Sequence, residues 1–411
     1  MDVITANQNA NTVSVLLGRG DGTLLAKKDY PTGLAPYSVA VGDFNRDGIP
    51  DLVTADASTN AASILLGNGD GSFQLHLEYT TGTGPIAVIV ADVNRDGIPD
   101  IATANAIANT ASVLLGNGDG TFQSHLDYAT RAYPVSLVAE DLNGDGTMDL
   151  AVLAPNANRV SVLFGNGDGS FQRHQDYATN SLAWSIAVGD FNRDGKPDLV
   201  TSNGDLNGDV IILLGNGDGS FRGPFDYSTS GEPAWVVVGD FNSDGRLDLA
   251  TANRTLNQVN VLRGKGDGTF SPGTNYAVRP TPVSIAAGDF NHDRAIDLVT
   301  ANLDDNSVSI LLNKGGTFLT MASSANPSRL GDPDTFALTV VASLQNVGTP
   351  TGTVTFLDGT TALGTAPLTN GVASLTASAL TQGPHTVTGH YSGDHSFNRN
   401  NCPALLQEVK P

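Results

Sequence analysis

Nine residues of this chain place three carboxylates and one carboxamide where a single turn could gather them. The first copy reads Asp43-Phe-Asn45-Arg-Asp47-Gly48-Ile49-Pro-Asp51. Side chains at positions 1, 3 and 5 converge when the backbone curls, and glycine at position 6 supplies the positive φ of a sharp turn. Position 7 offers its carbonyl, and position 9 adds another aspartate. Such a set suits Ca²⁺, which takes about six to eight hard oxygen ligands in a forgiving geometry. The string returns as Asp92, Asn94, Asp96, Ile98 and Asp100, and as Asp141, Asn143, Asp145, Thr147 and Asp149. Two further copies are Asp190, Asn192, Asp194, Lys196 and Asp198, then Asp240, Asn242, Asp244, Arg246 and Asp248. A sixth copy, Asp289, Asn291, Asp293 and Asp297, has Arg294 in place of glycine. A β-carbon there resists the left-handed conformation. An EF-hand would close with Glu at position 12 between helices; here Asp closes at position 9. Ion-free hairpin turns are the plainer reading, because Asp, Asn and Gly are ordinary turn residues. Yet a turn needs one or two acceptors, and four stand here at metal-ligand spacing.

Other chemical features carry less. His76, His125 and His174 recur 49 residues apart, so they fall on different repeats and form no compact site. Asp205-Leu-Asn207-Gly-Asp209 echoes half of the acidic string but lacks its glycine and closing Asp, which favours a longer hairpin. Arg19-Gly20-Asp21 spells an adhesion tripeptide, but it occupies the position of the repeat's Asn-Gly-Asp turn. Gly67-Asn-Gly-Asp-Gly71 joins two strands and opens no helix, so it is no dinucleotide fingerprint. Trp184 and Trp235 lie in strands and read as core. Six of nine tyrosines, from Tyr30 to Tyr276, share one repeat position and read as packing. No catalytic constellation emerges, so the chain reads as a non-enzyme.

The elements that must position the acidic strings follow from their period. First aspartates are separated by 49, 49, 49, 50 and 49 residues, which makes this a repeat architecture. One unit holds four segments of strand character. Ser38-Val-Ala-Val-Gly enters the acidic loop and Asp51-Leu-Val-Thr-Ala leaves it. Ser63-Ile-Leu-Leu-Gly ends at an Asn-Gly-Asp-Gly turn, and Phe73 to Tyr79 alternates as a half-buried outer strand does. Four antiparallel strands per unit describe a β-propeller blade. The exit strand occurs seven times, from Val3–Asn7 to Leu298–Asn302. The glycine turn also occurs seven times, ending at Phe318, while the inner strand with its acidic loop occurs only six times. The expected fold is all-β: a seven-bladed β-propeller over residues 1–318, its first blade lacking the inner strand, followed by a β-sandwich of immunoglobulin type over 319–411. The sandwich rests on short strands at Thr335–Val341, Thr353–Leu357, Gly371–Thr376 and His385–Tyr391. The opening Met1-Asp2-Val-Ile-Thr-Ala-Asn7 matches mid-repeat, so an upstream segment is expected.

Composition narrows the partners. Acids outnumber bases 42 to 21, for a net charge of −21, which argues against nucleic acid and anionic membranes. The intact loops hold 15 of those acids. Cys402 is alone, so no intrachain disulfide forms. No stretch is apolar and long enough to span a bilayer, and no signal peptide is visible.

The Asp-x-Asn-x-Asp-Gly-x-x-Asp loops and the Leu-Leu-Gly-Asn-Gly-Asp-Gly-Ser/Thr-Phe turns resemble the FG-GAP / VCBS repeat family, of which the integrin α-subunit propeller is a member. The resemblance implies a seven-bladed propeller with Ca²⁺ in its loops. Ser323-Ser-Ala-Asn-Pro327, Gly352-Thr-Val-Thr-Phe356, Asp358-Gly359 and Tyr391-Ser-Gly-Asp394 resemble a bacterial Ig-like repeat, whose modules act as spacers or adhesive stalks. Together they imply a calcium-binding, non-enzymatic recognition or adhesion module, secreted or on the cell surface, with a protein or glycan ligand. The alternative is the propeller of an extracellular enzyme or carbohydrate-binding protein with its site in the central channel.

Overall fold

A computed structural model describes residues 1–411 except 180–181, 205–207, 314–316, 343–347, 379 and 395. The half-motif Asp205–Asp209 therefore lies largely outside the described residues. The chain divides into two compact units. One comprises Met1–Phe290 and Ile296–Leu311, the other Asn291–Ala295 and Leu312–Pro411. Among the described residues no helix is long and apolar enough to cross a membrane.

The first unit is a run of antiparallel sheets, each built from strands consecutive in sequence. The first sheet has three strands: β1 (Val3–Asn7), β2 (Thr12–Leu16) and β3 (Lys28–Pro31). The second has β4 (Pro36–Gly42), β5 (Asp51–Asp56), β6 (Ala61–Leu65) and β7 (Leu77–Thr80). Four more sheets of four strands follow, over residues 85–129, 136–178, 183–228 and 233–277. A last sheet of three strands holds Pro282–Gly288, Asp297–Asn302 and Ser307–Leu311.

The gradient of burial across one sheet explains its sequence. β5 and β6 are buried at every residue and carry near-continuous small and branched residues. A strand covered on both faces has no need of alternation. The outer strand β7 is mostly exposed and polar at alternate positions. The core lies between sheets. Phe44, Val53, Ala55 and Ile64 of the second sheet pack with Val88, Ile101, Leu114 and Phe122 of the third. Aromatic pairs close the outside of five seams: Tyr79 meets Phe122 edge-on with ring centroids 5.4 Å apart, as Tyr30 meets Phe73 at 5.3 Å. Five of the six in-phase tyrosines thus clamp the next sheet. Tyr276 departs from the expected packing and is 43% exposed, since Phe318, at the matching aromatic position, pairs opposite Val341 instead. Trp235 packs at a seam as expected. Trp184 is 44% exposed and not core, because it stands at the entry of its strand, where its indole lies against Gly204.

The second unit is a sandwich of two sheets. One holds Thr317–Ser323, Asp334–Ala342 and Val372–Ala377; the other centres on Gly383–Tyr391 and Thr353–Asp358. Phe336, Leu338, Val354, Phe356 and Val387 fill its core. Phe318 belongs here, opposite Val341, and not to a fourth strand of the seventh sheet. The alternate residues Leu319 and Met321 of its strand face the sandwich core, which captures the strand.

Candidate metal centres in the acidic loops

Each acidic string connects the first two strands of its sheet, so adjacent strands hold both ends of the loop. In the first loop the Asp47 N–H donates to Asp43 Oδ1 and to Asn45 Oδ1, both at 3.1 Å. The Gly48 N–H donates to Asp43 Oδ2 at 3.0 Å, and the Ile49 N–H to Asp47 Oδ1 at 2.8 Å. Asn45 turns its amide nitrogen toward Asp47 Oδ2 at 2.8 Å. The curl is therefore held by peptide N–H groups on the oxygens of positions 1, 3 and 5. The same set recurs at Asp92, Asn94 and Asp96, at Asp141, Asn143 and Asp145, at Asp190, Asn192 and Asp194, and at Asp240, Asn242 and Asp244. In the sixth loop Asn291 and Asp293 keep the turn between positions 3 and 5. Arg294 adopts φ 68° there, so the left-handed conformation is reached despite the β-carbon.

Position 9 behaves differently. Asp51 is fully buried, and its two oxygens bind different elements. Oδ2 accepts the Phe44 N–H at 2.9 Å, and Oδ1 accepts the Gly67 N–H at 2.7 Å, sixteen residues on. Asp100, Asp149, Asp198 and Asp248 repeat both bonds, and Asp297 repeats the first, to Phe290. Glycine is required at position 67, since a β-carbon would stand 2.3 Å from the Pro50 carbonyl. Desolvation raises the carboxyl of Asp51, and lifts Asp100, Asp149, Asp198 and Asp248 to about 6. The backbone N–H bonds oppose this, and neighbouring loop aspartates add to it. At the tip of the third loop the Thr147 hydroxyl and N–H hold Asp145 below the usual carboxylate range, with Arg95 of the preceding loop contributing.

The donor chemistry fits a hard divalent cation: carboxylate, carboxamide and peptide oxygens, with no nitrogen or sulfur ligand. The arrangement differs from the expected convergence. Among the described residues no group of three or more His, Cys, Asp or Glu stands close enough to hold a metal. The carboxylates are spent on local N–H groups, position 9 most completely. For a cation to enter, Asn45 must present its oxygen and Asp47 must give up the amide. The position-7 residues Ile49, Ile98, Thr147, Lys196 and Arg246 anchor the tip through their N–H groups to position 5. Asp21 of the Arg-Gly-Asp tripeptide accepts the Thr23 N–H at 2.9 Å, the turn bond that Asp70 makes with Ser72. The three histidines each precede the outer strand of a different sheet, beside an acid two residues on.

Blade-like antiparallel sheets repeated around 50-residue units, with cores between sheets, define a β-propeller repeat protein. A family model described as FG-GAP-like repeat matches residues 1–54, 47–103, 92–152, 141–201, 190–251 and 240–300. The chain belongs to the FG-GAP-like repeat family. A second model, bacterial Ig-like domain (group 3), matches residues 319–410. Comparison with curated proteins finds no match. Among solved structures, the chain is similar to a functionally unknown protein from Desulfotomaculum acetoxidans, at 14% identity and TM-score 0.55. It is similar to a putative 6-phosphogluconolactonase from Bacteroides uniformis, at 15% and 0.58. Each likeness covers 75% of this chain and 90% of the other. A periplasmic gluconolactonase from Pseudomonas aeruginosa matches at 14% and 0.54, over 76% of this chain and 85% of that one. These likenesses correct one expectation: the fold is shared with propellers described as lactonases, so a non-enzymatic role does not follow from it.

Proposed function

We propose that the first unit is a seven-bladed propeller whose acidic loops take up Ca²⁺, and that the chain serves as a recognition or adhesion module outside the cell, against a protein or glycan. The observation that carries the reading is a bond repeated from sheet to sheet. The turn glycine of one sheet donates its N–H to the second loop residue of the sheet before it: Gly120 to Phe44, Gly219 to Leu142 and Gly268 to Phe191. Gly22 of the first sheet donates in the same way to Phe290 of the seventh, at 3.0 Å, which joins the ends of the run. Four of the six acidic loops are tied in this way to a turn of the next sheet, an arrangement that would set the loops along one rim. Ca²⁺ would neutralise the aspartates crowded there, and weak sites of this kind suit the millimolar calcium outside cells. Asp43, Asn45 and Asp47 and their counterparts would hold the ion, with Asp51 and its counterparts as the buried root.

The test has two readings. Elemental analysis of the dialysed protein is expected to find calcium. A glycan and protein-binding screen with calcium-loaded protein is expected to yield a ligand whose binding falls in chelator. Calcium absent from the protein, with binding indifferent to chelator, would overturn the calcium reading. A calcium-loaded protein that turns over a substrate through channel residues would replace recognition with catalysis.

A further inference from the structure

We infer that a groove between the sixth and seventh sheets binds a neutral saccharide. The inference rests on the reading of the chain as a recognition module and names the class of ligand. The groove offers about 400 Å³, and Glu232, Arg254, Thr255, Asn257, Thr281 and Asp304 line it. That volume lies at the small end of ligand sites, the scale of one or two sugar rings. These residues belong to the loops that join second to third strands and to the segments that enter the first strands at Pro233 and Pro282. The groove therefore stands at the opposite ends of the strands from the acidic loops.

Here the chain departs from its own repeat. The Arg254 N–H donates to the Glu232 carbonyl at 2.9 Å. The same bond joins Ala57 to Ala35, Ala106 to Gly84, Gly204 to Leu182 and Leu303 to Thr281. Uncharged residues make it in those four sheets, so the fold of a sheet needs neither charge. In the sixth sheet the bonded pair is a base and an acid. Among the described residues their side chains nevertheless form no ion pair or hydrogen bond, with each other or with any other group. Glu232 is half-buried, which limits the water that can serve its carboxylate. The uncharged groups are instead committed to the frame. The Thr255 hydroxyl accepts the Glu232 N–H at 3.2 Å, Asn257 Oδ1 accepts the Thr281 N–H at 2.9 Å, and the Thr281 hydroxyl donates to Asp304 Oδ2. The loops are thereby fixed, while Arg254, Glu232 and the other oxygen of Asp304 keep their bonding capacity for a ligand.

The three charges choose the ligand. Arg279 and Asp305 nearby pair with each other at 3.8 Å and leave the balance to Glu232, Arg254 and Asp304. An anion drawn to Arg254 would face two carboxylates, and a cation drawn to those would face the guanidinium. An apolar ligand would strip water from all three and replace none of its bonds. A hydroxyl both donates and accepts. Neighbouring hydroxyls on one ring therefore donate to the carboxylates and accept from the planar guanidinium, with no ionic charge of their own to desolvate. A ring that carries such hydroxyls on adjacent carbons is a sugar.

Saturation-transfer NMR on the calcium-loaded full chain tests this, with glucose, galactose, mannose, fucose, N-acetylglucosamine and their disaccharides as probes. At least one is expected to bind saturably. Arg254→Ala and Glu232→Ala each restore the residue type that the second sheet carries at the same bond, so Tm is expected to hold. Each is expected to weaken the bound sugar by about tenfold or more. Should either lower Tm, Glu232→Gln removes the charge at constant size and is expected to weaken the sugar in the same direction. Three results would overturn the inference: no sugar bound, sugar binding indifferent to these substitutions, or displacement of the sugar by lysine or citrate at lower concentration than by a second sugar. A protein ligand found by the screen above, with no sugar bound, would leave recognition standing and remove the groove from it. No ligand of either kind would overturn both.

Discussion

The tip and the root of each acidic loop use the same residue type for opposite ends. At the tip, Asp43 and Asp47 are solvated and bond only within their own turn. At the root, Asp51 is buried and joins the loop to a turn sixteen residues away. A tip carboxylate can exchange an N–H partner for water or a cation at small cost. A root carboxylate cannot, because its partners have no other acceptor. The tip is thus the adaptable half of the loop and the root the structural half.

The comparison breaks first at the root. Asp100→Ala strands the buried Val93 and Gly116 N–H groups, and it is expected to cost about 3 kcal/mol, at roughly 1–3 kcal/mol per unsatisfied group. Urea unfolding measures this; a loss under 1 kcal/mol would place Asp100 with the tip residues. Chelation probes the tip. A Ca²⁺ ion bound only by the folded state adds about 2.7 kcal/mol at a hundredfold excess over Kd. The Tm is therefore expected to fall in chelator and to recover with Ca²⁺ more than with Mg²⁺, whose octahedral demand is stricter. Asp47→Ala is expected to remove one ion by elemental analysis and to leave stability in chelator nearly unchanged.

Backbone geometry comes next. Gly97 has φ 77° with open space around its missing β-carbon. Gly97→Ala therefore isolates left-handed strain and is expected to cost about 1–2 kcal/mol with or without calcium. The smallest effect concerns a buried aspartate that has no backbone donors. Asp56 accepts only the Thr54 and Ser63 hydroxyls, and burial raises its carboxyl above the usual value. A raised folded value means that stability is lost as pH rises from the unfolded value through the folded one. Asparagine, which stands at the matching Asn105 and forms a similar network, carries no such charge. Asp56→Asn is expected to gain on the wild type across that window and to hold its advantage above it. Parallel pH profiles for the two proteins would assign the titration elsewhere.

Much of this was legible in the chain because a repeat reports itself. The 49-residue period, the strand types and the three-stranded first sheet follow from periodicity and turn chemistry. The sandwich strands at Asp334–Ala342, Thr353–Asp358, Val372–Ala377 and Gly383–Tyr391 fall within one or two residues of the alternation that marked them. Local pattern suffices there, because alternation is a property of one strand facing one core.

Partners set by packing between sheets were not legible. The sequence placed Asp51 among the loop ligands. Only the fold brings Gly67 onto its second oxygen and buries the pair beneath the next turn. Six tyrosines in phase announced packing, but five of them clamp an aromatic in the following sheet, 43 residues on for Tyr79 and Phe122, while Tyr276 is exposed. Phe318 matched the turn marker, yet its strand was captured by a core whose residues lie further along the chain. The amino-acid sequence determined which segments become strands and where the oxygens cluster, since both depend on neighbours within a few residues. The tertiary structure decided which oxygens are buried and which aromatic each tyrosine meets, because those outcomes depend on residues brought together only when the sheets pack.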